Sequence, residues 1–272
     1  MKRYFDPKYE NRFYNDFQFL FRYVKDSEGE YDLRIRDNYF NLYYRGNSMA
    51  KVSFRKKDYR VEIHKKFLNN VYDKDTRFRA SGNSKDYEVF SLEKKQLRPF
   101  LQKKYLEKIG KNVKDVNYQE EIVFEQILIT DNRNKEDIIL IDRQVMDNKI
   151  KRRMDLLCLE KIGENNFSFE VIEVKCGNSK DLEGEVINQL QHYLKHVKNN
   201  ISTWKNSYEK TYYQMKKAGL FEKPKPNEIN IIEEVKGKVV VMGYSGIADR
   251  YVNSLRKKSG NIEVKQFKNE LK

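Results

Sequence analysis

Cysteine, proline and glycine are scarce in this chain, at 2, 4 and 12 of 272 residues. Two cysteines, Cys158 and Cys176, cannot build a disulfide framework, and both sit in strand-like apolar runs where a thiol behaves as a small buried hydrophobe. With so little Gly and Pro, and with 39% hydrophobic and 13% aromatic residues, the composition excludes a linker-like or disordered polypeptide. Long hydrophobic runs are absent as well. None approaches the roughly 18 residues that span a bilayer, and the start Met1-Lys2-Arg3-Tyr4-Phe5-Asp6 turns acidic before a signal-peptide core begins. The expected setting is a reducing cytoplasm, with no membrane association. A glycine-rich phosphate loop of the Walker or dinucleotide type is missing, which argues against an intrinsic ATPase or NAD enzyme. His192 and His196, one helical turn apart, could join Cys158 and Cys176 on zinc only without the close cysteine pairing of a ribbon or finger.

What the chain has in excess is positive charge. Lys and Arg number 55 against 41 Asp and Glu, a net of +14. Residues 1–110 hold 26 of these cations against 16 acids, while 111–272 hold 29 against 25, so +10 of the excess lies in the first part. The same part carries 23 of the 35 Tyr and Phe, in runs such as Phe21-Arg22-Tyr23, Tyr43-Tyr44-Arg45 and Asp58-Tyr59-Arg60. Cations interleaved with aromatics suit a nucleic acid, because Lys and Arg neutralise phosphates while ring faces hold unstacked bases. The alternative is a lysine-rich solvated surface over an aromatic core.

Periodicity divides the chain in two. Leu33 to Ile63 alternates with a period of two and is broken by the turn signal Arg45-Gly46-Asn47-Ser48, which predicts a β-meander of three or four strands. A loop at Ala80-Ser81-Gly82-Asn83-Ser84 precedes a helical pattern from Ser91 to Ile109, interrupted at Pro99 and stopping at Gly110. Residues 1–112 thus read as a basic, aromatic-rich domain of β-meander plus helix, and 113–272 as a second domain. There the pattern becomes α/β: a helix over Tyr118–Ile129 bearing Glu120, Glu121 and Glu125, and strands at 138–141, 154–159 and 167–175. A long helix runs to about Lys198 and another, with Trp204, Tyr208, Tyr212 and Met215, spans 203–217. A βαβ tail from Lys238 to Phe267 would extend the same sheet. Gly243-Tyr244-Ser245-Gly246 lacks the spacing of a nucleophile elbow and reads as a strand-to-helix turn.

Three charged residues interrupt the second-domain strands. Asp155 opens one, and Glu173 and Lys175, two apart and so on one face, sit near the end of the next. A charge inside an apolar strand is costly unless it is paired or binds a metal. Two carboxylates are hard oxygen ligands suited to Mg²⁺ or Mn²⁺, which would lower the pKa of a bound water and stabilise charge on a phosphate. Lys175 beside them could orient the attacking water. The plainer alternative is an edge salt bridge between Lys175 and one acid.

Asp155, followed eighteen residues later by Glu173-Val174-Lys175, resembles the signature of the PD-(D/E)XK nuclease superfamily, with Met154 in the place of the proline, a departure many members share. Gln189-Leu190-Gln191-His192-Tyr193 resembles the Gln-hydrophobic-x-x-Tyr motif of the RecB-type branch, and Arg153-Met154-Asp155-Leu156-Leu157 with Glu173-Val174-Lys175-Cys176-Gly177 is also similar to archaeal NucS-type nucleases. The likeness covers about residues 117–245. It implies an α/β fold with a restriction-endonuclease-like mixed sheet flanked by helices, preceded here by a smaller β-rich N-terminal domain. It also implies Mg²⁺-dependent (or Mn²⁺-dependent) hydrolysis of nucleic-acid phosphodiesters, DNA before RNA. Asp155, Glu173 and the Val174 carbonyl would hold the metal and Lys175 would assist the water, while Gln189 and Tyr193 would position the scissile phosphate or its neighbouring bases. An acid from the preceding helix completes such sites; Glu121 is chosen for the face it shares with Glu125, with Glu120 and Glu125 left open. The rival readings are a sequence-specific restriction endonuclease of a defence system and a non-cleaving nucleic-acid-binding protein on the same fold. Cleavage of two strands would favour a homodimer.

Overall fold

The structure, a computed structural model, describes residues 1–73, 75–116, 119–147, 153–221 and 223–268. The basic run Lys149-Ile150-Lys151-Arg152 falls outside them. The chain forms two compact units that are not contiguous in sequence: Lys2–Ile122 with Lys210–Glu222, and Val123–Glu209 with Lys223–Lys272.

The first unit begins with a helix the periodicity reading did not anticipate, α1 (Pro7–Asp26). Pro7 supplies its first turn, and Phe13, Phe17, Leu20, Phe21 and Val24 recur at helical spacing to form one buried stripe. A six-stranded antiparallel sheet follows in the order β1-β2-β3-β4-β6-β5, built from β1 (Tyr31–Arg36), β2 (Tyr39–Tyr44), β3 (Asn47–Phe54), β4 (Tyr59–His64), β5 (Gly82–Asn83) and β6 (Tyr87–Leu92). Arg45 and Gly46, at φ 45° and 85°, make the tight turn between β2 and β3. Rings from α1 pack on the sheet, with Phe17 5.0 Å from Phe40 and 5.4 Å from Tyr59. Of the 23 Tyr and Phe in residues 1–110, 17 are buried and Tyr87 alone is exposed. The expectation that these rings stack bases is therefore corrected: most of them are the core, while most of the segment's lysines and arginines, Arg3, Arg34 and Arg36 aside, reach the surface.

Two further expectations fail for local reasons. The segment read as the start of a helix at Ser91 is the end of β6; α2 (Lys94–Phe100) begins only after Glu93, whose side chain forms a capping box with Gln96. The break expected at Pro99 is present, and the helix restarts beyond it as α3 (Lys103–Val116). Gly110 does not stop that helix. A Cβ there would lie 3.1 Å from the Tyr44 ring, so glycine is present for close packing against the sheet and not as a C-cap.

The second unit is a five-stranded mixed sheet in the order β11-β10-β9-β8-β7: β7 (Ile138–Val145), β8 (Met154–Lys161), β9 (Asn166–Cys176), β10 (Asn230–Met242) and β11 (Glu263–Phe267). β7, β8 and β9 are antiparallel neighbours, and β9, β10 and β11 run parallel. Helix α4 (Glu120–Asn132) covers one face, where Phe124, Leu128 and Ile129 meet Leu156, Cys158, Ile172, Val174 and Val240. The opposite face receives α5 (Glu185–Asn199) and the first half of α6 (Ile201–Lys217), whose Trp204 and Tyr208 pack on Phe169. Trp204 and Tyr208 are each 0% exposed, and Tyr212 and Met215, on the part of α6 that belongs to the first unit, are also buried at 0% and 3%, a core stripe. Helix α7 (Ser245–Lys258) makes the crossover between β10 and β11. The α/β fold, with helices on both faces of a mixed sheet behind a β-rich N-terminal part, is as the sequence leads one to expect. No helix among the described residues is long and apolar enough to cross a membrane.

Candidate active site

The β8–β9 hairpin places three of the expected residues together. Leu156 pairs with Ile172, so one step further along the ladder Asp155 faces Glu173, and both side chains leave the sheet on the α5 side. Asp155 Oδ2 accepts the Val174 N–H at 2.8 Å. Glu173 is 1% exposed and Lys175 6%. Their contact, Lys175 Nζ to Glu173 Oε1 at 3.1 Å, is the salt bridge the alternative reading allowed, but it is buried, with Asp181 a second partner at 3.5 Å. Removing two opposite charges from water is costly, and a pair this deep is weak evidence for stability and stronger evidence for a task.

Helix α5 brings Gln189 and Tyr193 to the same place. Val186, Ile187, Leu190, Leu194 and Val197 bury its apolar stripe. It approaches the sheet closely at Gly237 of β10, where a Cβ would come within 2.8 Å of Leu194. Gln189 Nε2 donates to Glu173 Oε1 at 2.7 Å and to Tyr193 Oη at 2.9 Å, and Tyr193 Oη donates to the Arg153 carbonyl at 2.8 Å. Both side chains are thus bonded to the strands that carry the carboxylates. They orient protein groups, in addition to whatever they offer a substrate.

Helix α4 presents the third acid. Glu120 and Glu121 lie half-buried in its first turn, while Glu125 is 3% exposed. Arg143 of β7, 0% exposed, reaches Glu125 Oε2 at 3.0 Å and Gln126 Oε1 at 2.7 Å. Burial pushes the Glu125 carboxyl up to about 7; the Arg143 guanidinium pulls it down, and the charge of Asp155 pushes it up again. The charge of Asp155 acting on Glu125 marks this acid, left open beside the chosen Glu121, as a neighbour of the hairpin carboxylate. Beside Arg143, Asp142 is 1% exposed and accepts the Tyr208 hydroxyl at 2.9 Å. Sequence reasoning missed this network. The signal was available: Asp142 and Arg143 break the apolar run from Ile138 as Asp155 breaks its own.

Chemically, Asp155 and Glu173 offer hard oxygens and the Val174 carbonyl follows Glu173 directly in sequence. Mg²⁺ is commonly held through one or two carboxylates with water completing its shell, so this donor set suits it. Among the described residues no three His, Cys, Asp or Glu side chains form a denser metal cage. Cys158 and Cys176 are buried thiols, and His196 lies 3.1 Å from Asp147.

Residues 119–232 match the family profile of the type I restriction enzyme R protein N terminus, a segment that contains every residue of the site. Two solved structures are similar over most of the chain. A repair endonuclease from Pyrococcus abyssi shares 12% identity, covering 88% of this chain and 78% of that one, with a TM-score of 0.29. An EndoMS–double-stranded DNA complex shares 10%, covering 89% and 84%, also with a TM-score of 0.29. No curated protein matches.

Proposed function

We propose that the chain is a divalent-metal-dependent nuclease of the PD-(D/E)XK type that hydrolyses phosphodiester bonds in DNA. The observation that carries this reading is the buried Glu173–Lys175 pair, one ladder step from Asp155 on a single hairpin, with Gln189 bonded to the same Glu173 oxygen. The similarity of residues 119–232 to the N terminus of type I restriction enzyme R proteins supports it.

In this reading Asp155, Glu173 and the Val174 carbonyl hold Mg²⁺ or Mn²⁺. The bound cation supplies a water of lowered pKa and offsets charge on the phosphate. Lys175, fixed by Glu173 and Asp181, orients the attacking water and meets the negative charge that develops. Gln189 holds the Glu173 carboxylate in one rotamer, and Tyr193 pins the strand entry at Arg153, two residues before Asp155. Glu125 adds a third acid to the field around Asp155, with burial limiting its charge and Arg143 favouring it.

The test is cleavage of plasmid, linear duplex, single-stranded DNA and RNA by the purified chain, with Mg²⁺, Mn²⁺ or a chelator. Asp155→Asn and Lys175→Met should each lower the rate about a hundredfold or more, the usual scale for removing a group that meets transition-state charge. Undiminished cutting in chelator, or by the Asp155 variant, would refute the assignment. The family similarity also favours a restriction-type enzyme, for which discrete fragments would replace progressive degradation.

A further inference from the structure

The positive charge of this chain is more local than the first 110 residues suggest. Residues 1–50 hold 9 cations against 8 acids, 51–111 hold 18 against 8, and 112–272 hold 28 against 25, so the excess of +14 divides as +1, +10 and +3. Within the basic stretch, one end of the first unit's sheet gathers cations from two places. Phe54 pairs with Tyr59, leaving Arg55-Lys56-Lys57-Asp58 as the β3–β4 turn, and Tyr59 pairs with Leu92, which puts the start of α2 with Lys94 and Lys95 beside that turn. Together they border a cleft of about 960 Å³ lined in part by Lys57, Ser91, Lys94 and Lys95.

Three observations indicate that this end is built to receive an anion. First, the turn is held rigid. Arg12 of α1 stacks over Tyr59 at 4.5 Å and donates to the carbonyls of Arg55, Lys56 and Asp58 at 2.5, 3.5 and 3.3 Å. The turn is closed by the Arg55 N–H to the Asp58 carbonyl at 3.0 Å. Arg12 thereby places a further cation under a turn that already displays three. Second, the local acids are already engaged, two of them by Lys94 and Lys95 of the same end. Asp58 accepts from Ser91, Asp16 from Tyr59 and Lys94, and Glu93 from the α2 backbone and Lys95. The exposed side chains of Arg55, Lys56 and Lys57 have no ion-pair partner among the described residues. Third, the residues lining the cleft include no aromatic ring, so it offers nothing on which an unstacked base could rest. Crowded, pre-ordered cations without a stacking platform suit phosphates whose bases are already paired.

We propose that the β3–β4 turn and the start of α2 form a docking surface for the phosphodiester backbone of duplex nucleic acid. Arg55, Lys56, Lys57, Lys94 and Lys95 contact phosphates without reading bases. This rests on the nuclease reading above, and it assigns capture of the substrate to a surface outside the candidate active site.

The experiment measures binding of the full chain to a labelled duplex by fluorescence anisotropy in chelator, where turnover plays no part. One variant combines Lys56→Ala, Lys57→Ala, Lys94→Ala and Lys95→Ala. A control of equal charge combines Lys161→Ala, Lys257→Ala, Lys258→Ala and Lys265→Ala, all exposed in the other unit. The first should bind about a hundredfold more weakly, and its slope of log affinity against log salt should fall by about 3.6, since each of the four lost phosphate contacts removes about 0.9. The control should stay within about threefold of wild type. Arg12→Lys, which keeps the charge but loses the fork, should fall between them. Equal losses in both quadruple variants, no loss in the first, or tighter binding of a single strand through the same lysines would overturn the proposal. If duplex binding follows the lysines while no substrate is cut, the surface stands and the active-site reading falls; cutting without lysine dependence gives the reverse.

Discussion

Glu125→Gln gives a quantitative check on the buried acid beside the hairpin, independent of any activity. Glu125 is 3% exposed and its carboxyl is pushed up to about 7 from 4.5. A carboxyl whose folded pKa lies above its unfolded one lends stability in full below the unfolded pKa, near 4.5, and loses it as the pH rises through the folded value. Between about pH 5 and about pH 8 the wild type should therefore lose about 2 to 3 kcal/mol through this one group. Gln cannot titrate, and it keeps an acceptor for Arg143. The difference in unfolding free energy between the two proteins, from urea titrations in chelator at both ends of the range, cancels every other ionisable group. Glu125→Gln should gain about 2 to 3 kcal/mol on wild type as the pH is raised. Because the charge of Asp155 is one cause of the upward push, the gain should shrink in an Asp155→Asn background. Parallel pH profiles would refute the reasoning. A change of opposite sign would mean that the Arg143 guanidinium outweighs burial and holds Glu125 ionised.

Other substitutions probe the supports of the site. Tyr193→Phe removes the donor to the Arg153 carbonyl and one acceptor of Gln189; urea unfolding should show a loss of about 1 to 2 kcal/mol, with kcat falling more than KM rises if the hairpin entry moves. Gly177→Ala would place a Cβ 2.3 Å from the Gly243 carbonyl oxygen and 2.9 Å from Ala248. It should cost about 2 to 3 kcal/mol and lower the melting temperature by about 5 to 10 °C, read by circular dichroism.

The site was more legible in the sequence than the fold around it. Asp155, Glu173 and Lys175 stood out because charges are rare inside apolar strands, and Gln189 and Tyr193 only through the resemblance of Gln189-Leu190-Gln191-His192-Tyr193 to the RecB-type motif. The same test, applied to Ile138–Val145, would have exposed Arg143 and so the acid it faces. Glu125 was harder, since three glutamates in adjacent turns of α4 differ only in burial, which depends on where α4 sits against the sheet. In the first unit, α1 was hidden because its aromatics come in near-continuous runs that suit both a helix and a strand. Gly110 misled for the opposite reason: a helix-stop residue is also the smallest residue, and the Tyr44 ring required the second property.

On the nuclease reading proposed above, the two kinds of polar group in this chain would answer different demands of one substrate. A polyanion is drawn by net charge, and +10 of the +14 lies in residues 51–111 of the first unit. Residues 112–272 are nearly balanced, and their site presents Asp155, Glu173 and Glu125, which phosphates would repel. Spreading the cations around those carboxylates would neutralise them by pairing, as Lys175 already does for one oxygen of Glu173, and would compete with a divalent ion for the same donors. Concentrating the cations in the first unit leaves the carboxylates available to a metal. Salt and chelator should therefore act on separate steps: raising salt should weaken duplex binding without altering the metal requirement, and chelator should abolish cleavage while binding persists. A chelator that released the duplex as fully as high salt does would show that both steps belong to one surface.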